Sequence, residues 1–478
     1  MAIPILTVDQ VREWEESSWA AGISQQEVIR NAGRRVAFYA EKMTDIGDKI
    51  LVIAGKGHNG DDAIQASEQI AQREIKVIRI TDPATDIVSL KSALNEDLSL
   101  VIDGLFGIGL NRELDEKYRN VIDLINQAKA PVLSVDVPSG LNAQTGEVMG
   151  AAVRASATVT LGAVKIGLIK STAAQYTGRL YVAPQIGLKS LDFKSDLYWT
   201  ETSDFNGFPP ARNVSTHKGT YGHLLIIAGS PGYHGAAVLA AKSAQRALPG
   251  LITLVTAQGV YIPVASQLAQ VMVHCWKPSM EFPEKITAIL IGCGLASPEL
   301  PPGLVDYCIK LWNESPLPMC VDASALDWLP KGRINSQAPR IVTPHPGEAA
   351  RMLKTTTEEV LSDRTESVRK ISKLYGNCYV VLKGHQTIIG KNDGVLYINS
   401  TGNPYLAQGG AGDALAGFIG GLIAQPALQK DILTTIRYAV WRHGLAADYL
   451  QKQNPRNWTV EEAIAVLNSS VIEKEIVI

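Results

Sequence analysis

Two successive series of short, β-branched apolar runs constrain the fold of this chain more than any other feature. In each series a helical pattern or a glycine-containing loop separates one run from the next, which is the order of a parallel sheet covered by helices on both faces. A polar, aromatic and proline-containing stretch at 185–221 separates the two series. The sequence therefore predicts two α/β domains, residues 1–212 and 213–478. The runs lie at 50–54, 77–80, 100–102 and 132–135, and then at 223–228, 251–256, 288–291, 319–321 and 379–382.

Composition narrows the class of partner. Of the 478 residues, 46% are hydrophobic and 19% are charged, and the formal net charge is −2. Such a chain buries large cores and has no overall field to attract a polyanion, so we expect small-molecule partners and neither nucleic acid nor a membrane surface. The five cysteines lie in the second half without CxxC spacing, which predicts reduced thiols. The N-terminus carries no signal-peptide pattern and no apolar stretch reaches 18 residues, so the sequence predicts a cytoplasmic protein.

A glycine-rich turn in the second half is the first candidate for chemistry. Residues 408–413, QGGAGD, stand immediately before a helical pattern at 414–423. Glycines there allow successive backbone amides to converge on an anion at the positive end of a helix. Asp413 can accept a proton from a hydroxyl that attacks phosphorus. The alternative is a tight turn in which Asp413 is only the N-cap.

Three further loops of the second half have the composition of ligand-binding segments. Residues 383–387, KGHQT, follow a strand; residues 343–348, TPHPGE, hold a histidine between two prolines; and residues 228–236 join a strand to a helix through glycines. Each has an ordinary structural alternative. A lysine after a strand is commonly a solvated end, and a proline-rich loop is commonly a helix entrance, with Glu348 in the first turn.

Together with His217-Lys218-Gly219 and the stretch 403–413, these loops resemble in order and spacing the ADP-dependent NAD(P)H-hydrate dehydratases. The resemblance covers most of residues 213–478 and implies a ribokinase-like α/β domain. In that family the C6 hydroxyl of hydrated NADH or NADPH (NADHX or NADPHX) is phosphorylated, and phosphate then leaves. The resemblance implies ADP and Mg²⁺, with Asp413 as the base. It implies hydrated-cofactor binding by Ala236, Gly294, His345 and Asp413, and nucleotide binding by Lys383, Gly384, His385, Gln386, Thr387 and Gly412.

Some positions depart from the dehydratase pattern. The usual NPGMATGG is NPYLAQGG at 403–410, the usual GPGLG is GCGLA at 292–296, and the usual DAD is DAS at 322–324. We expect these changes beside the pocket and not on the glycine–aspartate pair. An alternative function is a ribokinase-like kinase that phosphorylates a vitamin precursor and stops there, with a non-catalytic N-terminal binding or assembly domain.

The first half places polar residues at the ends of strands. Residues 55–63, GKGHNGDDA, open a helix after the first sheet strand, Asp103 ends another strand before a glycine loop, and Asp136 ends a third. Open α/β sheets bind ligands at the carboxyl ends of their strands, so these side chains are expected to converge on one crevice. Each alone would commonly be a turn residue.

These segments resemble the NAD(P)H-hydrate epimerase domain, which interconverts the two C6 epimers, and the resemblance covers about residues 1–212. It implies a Rossmann-like three-layer domain with potassium bound by Asn59, Asp103 and Ser139, and Asp136 as the catalytic acid–base residue. The repair enzyme as a whole is expected to be a homo-oligomer. The resemblance implies epimerase substrate binding by His58, Asn59, Gly60, Asp61, Asp62, Gly107, Gly109 and Asp136.

The phosphate loop departs from the epimerase pattern. The usual NNGGDG is HNGDDA at 58–63, the Thr of the usual GTG is Ile108, and an early Glu is Arg30. Asp61 adds a carboxylate where a pyrophosphate is expected, and two unit charges at 4 Å repel by about 4 kcal/mol at an effective dielectric near 20. Two alternatives follow: an active epimerase, or a domain whose epimerase activity is weak or absent.

Overall fold

The computed structural model describes residues 2–190, 193–278, 280 and 285–472. By its internal contacts the chain divides into two compact units, Ile3–Ser195 and, together with Met1–Ala2, Asp196–Ile478. Both units are α/β, as expected. Within the described part of the chain, no single helix is both long and apolar enough to cross a membrane; one helix pair bent by 116°, Ala411–Ile423 with Leu428–Gln453, meets that criterion by length and composition alone.

The N-terminal unit is built on a parallel sheet with strand order β3-β2-β4-β5-β6-β8, and β1 pairs in parallel with β7. Helices α2 and α3 pack on one face of the sheet and α4 and α5 on the other, so the unit has three layers. The elements are β1 (Ile3–Leu6), α1 (Val8–Ala20), α2 (Gln25–Lys42), β2 (Lys49–Ala54), α3 (His58–Gln69), β3 (Glu74–Arg79), α4 (Pro83–Leu94), β4 (Leu100–Gly104), α5 (Glu116–Asn126), β5 (Val132–Val135), β6 (Ala157–Leu161), β7 (Val164–Lys165), α6 (Ala174–Thr177) and β8 (Arg179–Ala183).

In the C-terminal unit the strand order is β12-β11-β10-β13-β14-β15-β16-β17-β18-β9. The strands from β12 to β16 are parallel, whereas β17 is antiparallel to both β16 and β18. The elements are β9 (Leu197–Trp199), β10 (His223–Ile227), α7 (His234–Arg246), β11 (Leu251–Thr256), α8 (Tyr261–Ala265), β12 (Met272–Cys275), β13 (Ala288–Ile291), α9 (Leu304–Glu314), β14 (Met319–Val321), β15 (Arg340–Val342), α10 (Pro346–Leu353), α11 (Thr357–Ser362), α12 (Arg364–Leu374), β16 (Tyr379–Leu382), β17 (Ile388–Gly390), β18 (Leu396–Ile398), α13 (Ala411–Ile423), α14 (Ile432–Gln453) and α15 (Val460–Val466).

The division between the units lies earlier in the chain than the sequence-based boundary near residue 212. The reason is β9, which pairs in parallel with β18, so that the start of the polar stretch belongs to the C-terminal sheet. A three-residue strand beside a proline-containing segment has no periodicity strong enough to predict it.

Helix α13, which begins at the glycine-rich turn, packs closely against α7 because glycine stands where a side chain would clash. It is almost entirely buried. A Cβ at Gly417 would lie 2.1 Å from the carbonyl oxygen of Ala240 in α7. Because real Cβ atoms do not approach a backbone oxygen so closely, the sequence must keep glycine here for the helices to be this near.

The Gly417→Ala variant is expected to lose about 1–3 kcal/mol of unfolding free energy, because the added methyl group forces α13 away from α7. Gly235→Ala is the matched control, since a Cβ at Gly235, in the first turn of α7, meets nothing within 4 Å. We expect that control to be neutral or more stable by up to about 1 kcal/mol. Urea unfolding of both variants measures the difference, and equal stability of the two would contradict the close approach.

Candidate functional sites

Adjacent strand ends of the C-terminal sheet bring a buried ion cluster together. Asp322 follows β14, Thr343 follows β15 and Lys383 follows β16, and these three strands are neighbours in the sheet. The Lys383 Nζ lies 2.7 Å from Asp322 Oδ1, and the Thr343 hydroxyl donates a 2.7 Å hydrogen bond to the same oxygen. Glu348, in the first turn of α10, lies 3.8 Å from the Lys383 Nζ. One ammonium thus faces two buried carboxylates.

Asp413 joins this cluster from the start of α13. The N-cap of α13 is Gly410, and Asp413 is the third helical residue, so the N-cap alternative for Asp413 is wrong. Ligand atoms of Asp413, Asp322 and Cys293 lie within 4.8 Å of one another. Burial, and next the negative charge of Asp322, raises the pKa of Asp413 to about 6, while Cys293 and Lys383 act in the opposite direction.

The residues expected to contact the hydrated cofactor lie next to this buried ion cluster. Gly294 follows Cys293, and a Cβ at Gly294 would lie 2.8 Å from the Cβ of Ala236. His345 is the N-cap of α10, and its Nδ1 accepts hydrogen bonds from the amides of Gly347 and Glu348. Through Glu348, His345 is linked to the ion cluster: its Nε2 lies 3.6 Å from the Glu348 Oε1.

The segment 383–387, expected to bind a nucleotide, turns between β16 and β17 beside the same cluster. A Cβ at Gly412 would lie 3.3 Å from the Lys383 Nζ, which brings this turn and the start of α13 together. Arg364 donates to the carbonyl of His385, and the Thr387 hydroxyl donates to the carbonyl of Gly384. Gln386 Nε2 is buried without a hydrogen-bond partner among the described residues.

The N-terminal unit contains a cavity of about 900 Å³ at the carboxyl end of its sheet. Of the residues expected to bind the epimerase substrate, it is lined by His58, Asn59, Asp62, Gly107, Gly109 and Asp136, but not by Gly60 or Asp61. Asp61 instead forms a 3.0 Å ion pair with Arg79 at the end of β3, and both side chains are exposed. Asp61 therefore pairs with Arg79 and does not line the cavity, and its effect on a bound anion stays a prediction.

Asp136 is held in an unusual conformation inside this cavity. It follows β5 with a φ of 63°, which non-glycine residues rarely adopt and which is typical of strained functional positions. Its carboxylate accepts hydrogen bonds from the Lys165 ammonium and from the amide of Leu161, the latter at 2.9 Å. Lys165 also donates to the carbonyl of Leu161 and is 1% exposed, so the pair is buried.

The three expected potassium ligands lie next to one another. Ser139 Oγ donates to Asp103 Oδ1 at 2.6 Å, and the amide of Ser139 donates to the other carboxylate oxygen. Asn59 donates to the carbonyl of Phe106, whose own amide donates to the Ser139 hydroxyl. Asp103 is fully buried; its pKa is raised by burial, and the hydrogen bonds that oppose this rise come from neutral groups.

Comparison with known proteins gives a family for each half of the chain. Residues 224–468 match the family described as NAD(P)H-hydrate dehydratase, and residues 25–87 and 80–167 match the YjeF-related protein N-terminus. A bifunctional NAD(P)H-hydrate repair enzyme of Coxiella burnetii is 33% identical over 468 residues, which cover 92% of this chain and 93% of that relative. One from Thermofilum pendens is 32% identical, covering 91% and 89%. This chain belongs to the family of bifunctional NAD(P)H-hydrate repair enzymes.

The resemblance seen in the motifs of this repair-enzyme chain is thereby confirmed for both halves. A crystal structure of a hypothetical protein from Streptococcus mutans is similar to this chain in fold, with a TM-score of 0.50 and 24% identity over 57% of this chain and 98% of that one. The roles of individual residues are separate predictions, which the match itself leaves open.

Several residues that adjoin the two repair sites were not predicted as site residues. The sequence could have indicated both Asp322 and Glu348. Asp322 directly follows a predicted strand, and Glu348 lies in the first turn of a helix in the segment TPHPGE. Cys293 was expected only beside the pocket, yet it reaches Asp413. Lys165 lies on a two-residue strand and Glu15 on an amphipathic helix, and neither position has a local pattern that distinguishes it from an ordinary buried or surface residue.

Replacing Lys383 by Met is expected to destabilise the chain by about 3–5 kcal/mol at pH 7.5, because it leaves buried carboxylates without their ammonium. Folding would then require these carboxyls to take up protons, so the loss should shrink as the pH falls towards 5.5. Lys373→Met, at an exposed position of α12, is the matched control. Urea unfolding at the two pH values tests this, and a loss independent of pH would contradict the proposed charge balance.

Proposed function

We propose that this chain repairs hydrated nicotinamide cofactors: its C-terminal unit dehydrates the S epimers of NADHX and NADPHX with ADP, and its N-terminal unit interconverts the R and S epimers. The observation that carries the first activity is Asp413, a partly buried carboxyl at the start of α13 that adjoins both groups of expected ligand-binding residues. The buried cluster links it to Lys383 and Glu348 on one side and to Cys293 and Gly294 on the other.

In the dehydration, Asp413 accepts the proton of the C6 hydroxyl while the hydroxyl oxygen attacks the terminal phosphorus of ADP, releasing AMP. The C6–O bond then breaks with its electron pair leaving on phosphate, and loss of the C5 proton forms the C5–C6 double bond. Phosphate is a far better leaving group than hydroxide, which is why a phosphoryl donor serves a dehydration. A pKa of about 6 leaves Asp413 ionised about ten to one at pH 7, as a base requires.

The segment 383–387 and the start of α13 are suited to the nucleotide. Gln386 Nε2 is a buried donor that lacks an acceptor, and such donors are costly to leave unpaired. The amides of the first turn of α13 are free of helical partners and attract phosphate. Because the Lys383 ammonium is already bonded to Asp322, we assign Lys383 to charge balance in the site as well as to the nucleotide.

The carboxylates of the cluster fit a magnesium ion bound with the nucleotide. The Lys383 ammonium contacts Asp322 and Glu348, and Asp413 adjoins Asp322, so the cluster has excess negative charge when all three carboxyls are ionised. Glu348 would hold Mg²⁺, whose oxygen preference its carboxylate matches, together with the phosphates of the nucleotide, and Asp413 would remain free as the base. When bound, the ion screens the phosphate charges from these carboxylates.

For the epimerase, the 900 Å³ cavity and its strained Asp136 support the proposal. Oxygens of Asn59, Asp103 and Ser139 fit a potassium ion, because the fully buried Asp103 has only neutral hydrogen-bond donors around it. A bound potassium ion would supply positive charge near an anionic substrate. The cysteines among the described residues are unpaired and four of them are buried, which supports a reducing, cytoplasmic location.

Asp413→Asn is expected to lower the rate of S-epimer dehydration by about 10²–10⁴-fold, because the amide cannot accept the proton. Asp306→Asn is the matched control: Asp306 is also the third residue of a helix whose N-cap is a left-handed glycine, but it is exposed on α9. Recovery of NADH absorbance with ADP is the measurement. If the wild-type chain gave a stable phosphorylated product and no NADH, that result would favour the vitamin-precursor kinase instead.

The pH dependence follows from the raised pKa of Asp413. Since the base must be unprotonated, the dehydration rate should be constant above about pH 7 and fall about tenfold per pH unit below about pH 6. A profile of kcat against pH from 5 to 8 with saturating ADP tests this. A rate that stays flat down to pH 5 would exclude Asp413 as the base with this pKa.

Asp61→Ala tests whether the carboxylate added to the phosphate loop weakens the epimerase. Asp61 bonds to Arg79 and not to the cavity, and exposed ion pairs contribute little, so R-epimer turnover should stay within about threefold of the wild type. Arg79→Ala is the control for loss of the pair. A rise of an order of magnitude in Asp61→Ala alone would show that this carboxylate does oppose the substrate.

A further inference from the structure

One carboxyl in the N-terminal cavity has no partner. Asp62 lies in α3, is 9% exposed and lines the cavity, yet its carboxyl forms no hydrogen bond or ion pair with the described residues. A buried carboxyl without a donor is costly as an anion, so an unpartnered one in a cavity wall points to a ligand or to a neutral acid.

The surroundings of Asp62 and Asp136 differ in the way that separates an acid from a base. The Asp136 carboxylate is in direct contact with a cation and a backbone donor, since it accepts hydrogen bonds from the Lys165 ammonium and the Leu161 amide. Asp62 has no such donor and lies in the field of Asp136, Asp61 and Glu15, with Lys165 as the opposing charge. Burial and these anions raise the pKa of Asp62 well above its usual value.

We propose that Asp62 is a second catalytic residue of the epimerase, donating a proton to the C6 hydroxyl while Asp136 serves as the base. This inference rests on the proposed epimerase function and deepens it. The pair has the division of roles that enzymes obtain by giving two carboxyls different environments.

The reaction loses and regains water at C6. The Asp62 carboxylic acid protonates the hydroxyl, the C6–O bond breaks with its electron pair leaving on water, and the N1 lone pair forms a C6–N1 double bond. Asp136 takes a proton from a second water as that water adds to the opposite face of C6, and the π electrons return to N1. A proton passes from Asp136 back to Asp62 through water, so the substrate changes only its configuration.

The full chain provides an internal control for the test. With excess ADP, a mixture of R and S NADHX is converted in two phases: a fast one for the S epimer and a slower one limited by epimerisation of R. Asp62→Asn is expected to slow the second phase by about 10²–10⁴-fold and to leave the first within about twofold. Asp123→Asn, at an exposed position of α5, should change neither phase.

Other outcomes overturn the inference or the function on which it rests. A second phase in Asp62→Asn within threefold of the wild type excludes Asp62 as the acid. A loss seen only in Glu15→Gln excludes it too, because Glu15 also lines the cavity and its carboxyl accepts no hydrogen bond from the described residues. A wild-type chain with no second phase above the spontaneous rate removes the epimerase function itself. Circular dichroism of each variant excludes misfolding as the cause of a loss.

Oxygen exchange tests the same chemistry without a variant. In H₂¹⁸O the wild-type chain without ADP should introduce one ¹⁸O at C6 for each epimerisation, as measured by mass spectrometry. The epimerisation rate should also fall as the pH is raised through the titration of Asp62, whose charged neighbours are Glu15 of α1, Asp61 of α3, Asp136 and Lys165. Epimerisation without ¹⁸O uptake would overturn the proposed route.

Discussion

The ammonium of Lys383 is the charge on which the C-terminal site depends. It lies at the end of β16, bonded to Asp322 at the end of β14 and close to Glu348 in α10. At an effective dielectric near 20, each such attraction at 4 Å is worth about 4 kcal/mol, enough to hold buried carboxylates together. Burial raises the pKa of Asp413 in this cluster, and the negative charge of Asp322 raises it further. The packing that buries this edge of the sheet therefore also gives Asp413 a pKa suited to a base near neutral pH.

In the N-terminal unit a different lysine, Lys165, binds a buried carboxylate. There Lys165 donates to Asp136 and to the carbonyl of Leu161. Asp62 is left without a cation of its own. In both units, then, a lysine contacts one carboxylate directly, while burial and neighbouring anions raise the pKa of a second carboxyl, Asp413 or Asp62.

Much of the fold follows from the sequence, because parallel strands buried on both faces need continuous β-branched runs. Strands β5, β11, β13, β14 and β16 begin and end where those runs do. The polar residues at strand ends were also predictable, since parallel strands carry them to one edge. Short strands such as β7 and β9 were not, because a few residues have no period. The ion pairs could not be predicted from the sequence for another reason. Asp322 and Lys383 are 61 residues apart, and only the folded sheet makes them neighbours.

Asp61 illustrates what a motif leaves undetermined. Its position in the loop implied a charge facing the substrate, but a helix turns its side chains by about 100° per residue, so neighbouring positions face different surroundings. Asp62 lines the cavity, whereas Asp61 pairs with Arg79 and does not line it. The local sequence gives the residue type, and the helical position determines which of the two aspartates lines the cavity.

The cap of α10 has a consequence for molecules designed to occupy the C-terminal site. Because the Nδ1 of His345 accepts two backbone amides, the neutral ring must carry its hydrogen on Nε2. The Nε2–H group is thus a fixed donor on an exposed ring edge, and Nε2 lies 3.6 Å from Oε1 of Glu348. An inhibitor scaffold matches this edge best with a neutral ether, carbonyl or sulfone oxygen, because an anionic group placed there would be repelled by the neighbouring carboxylate.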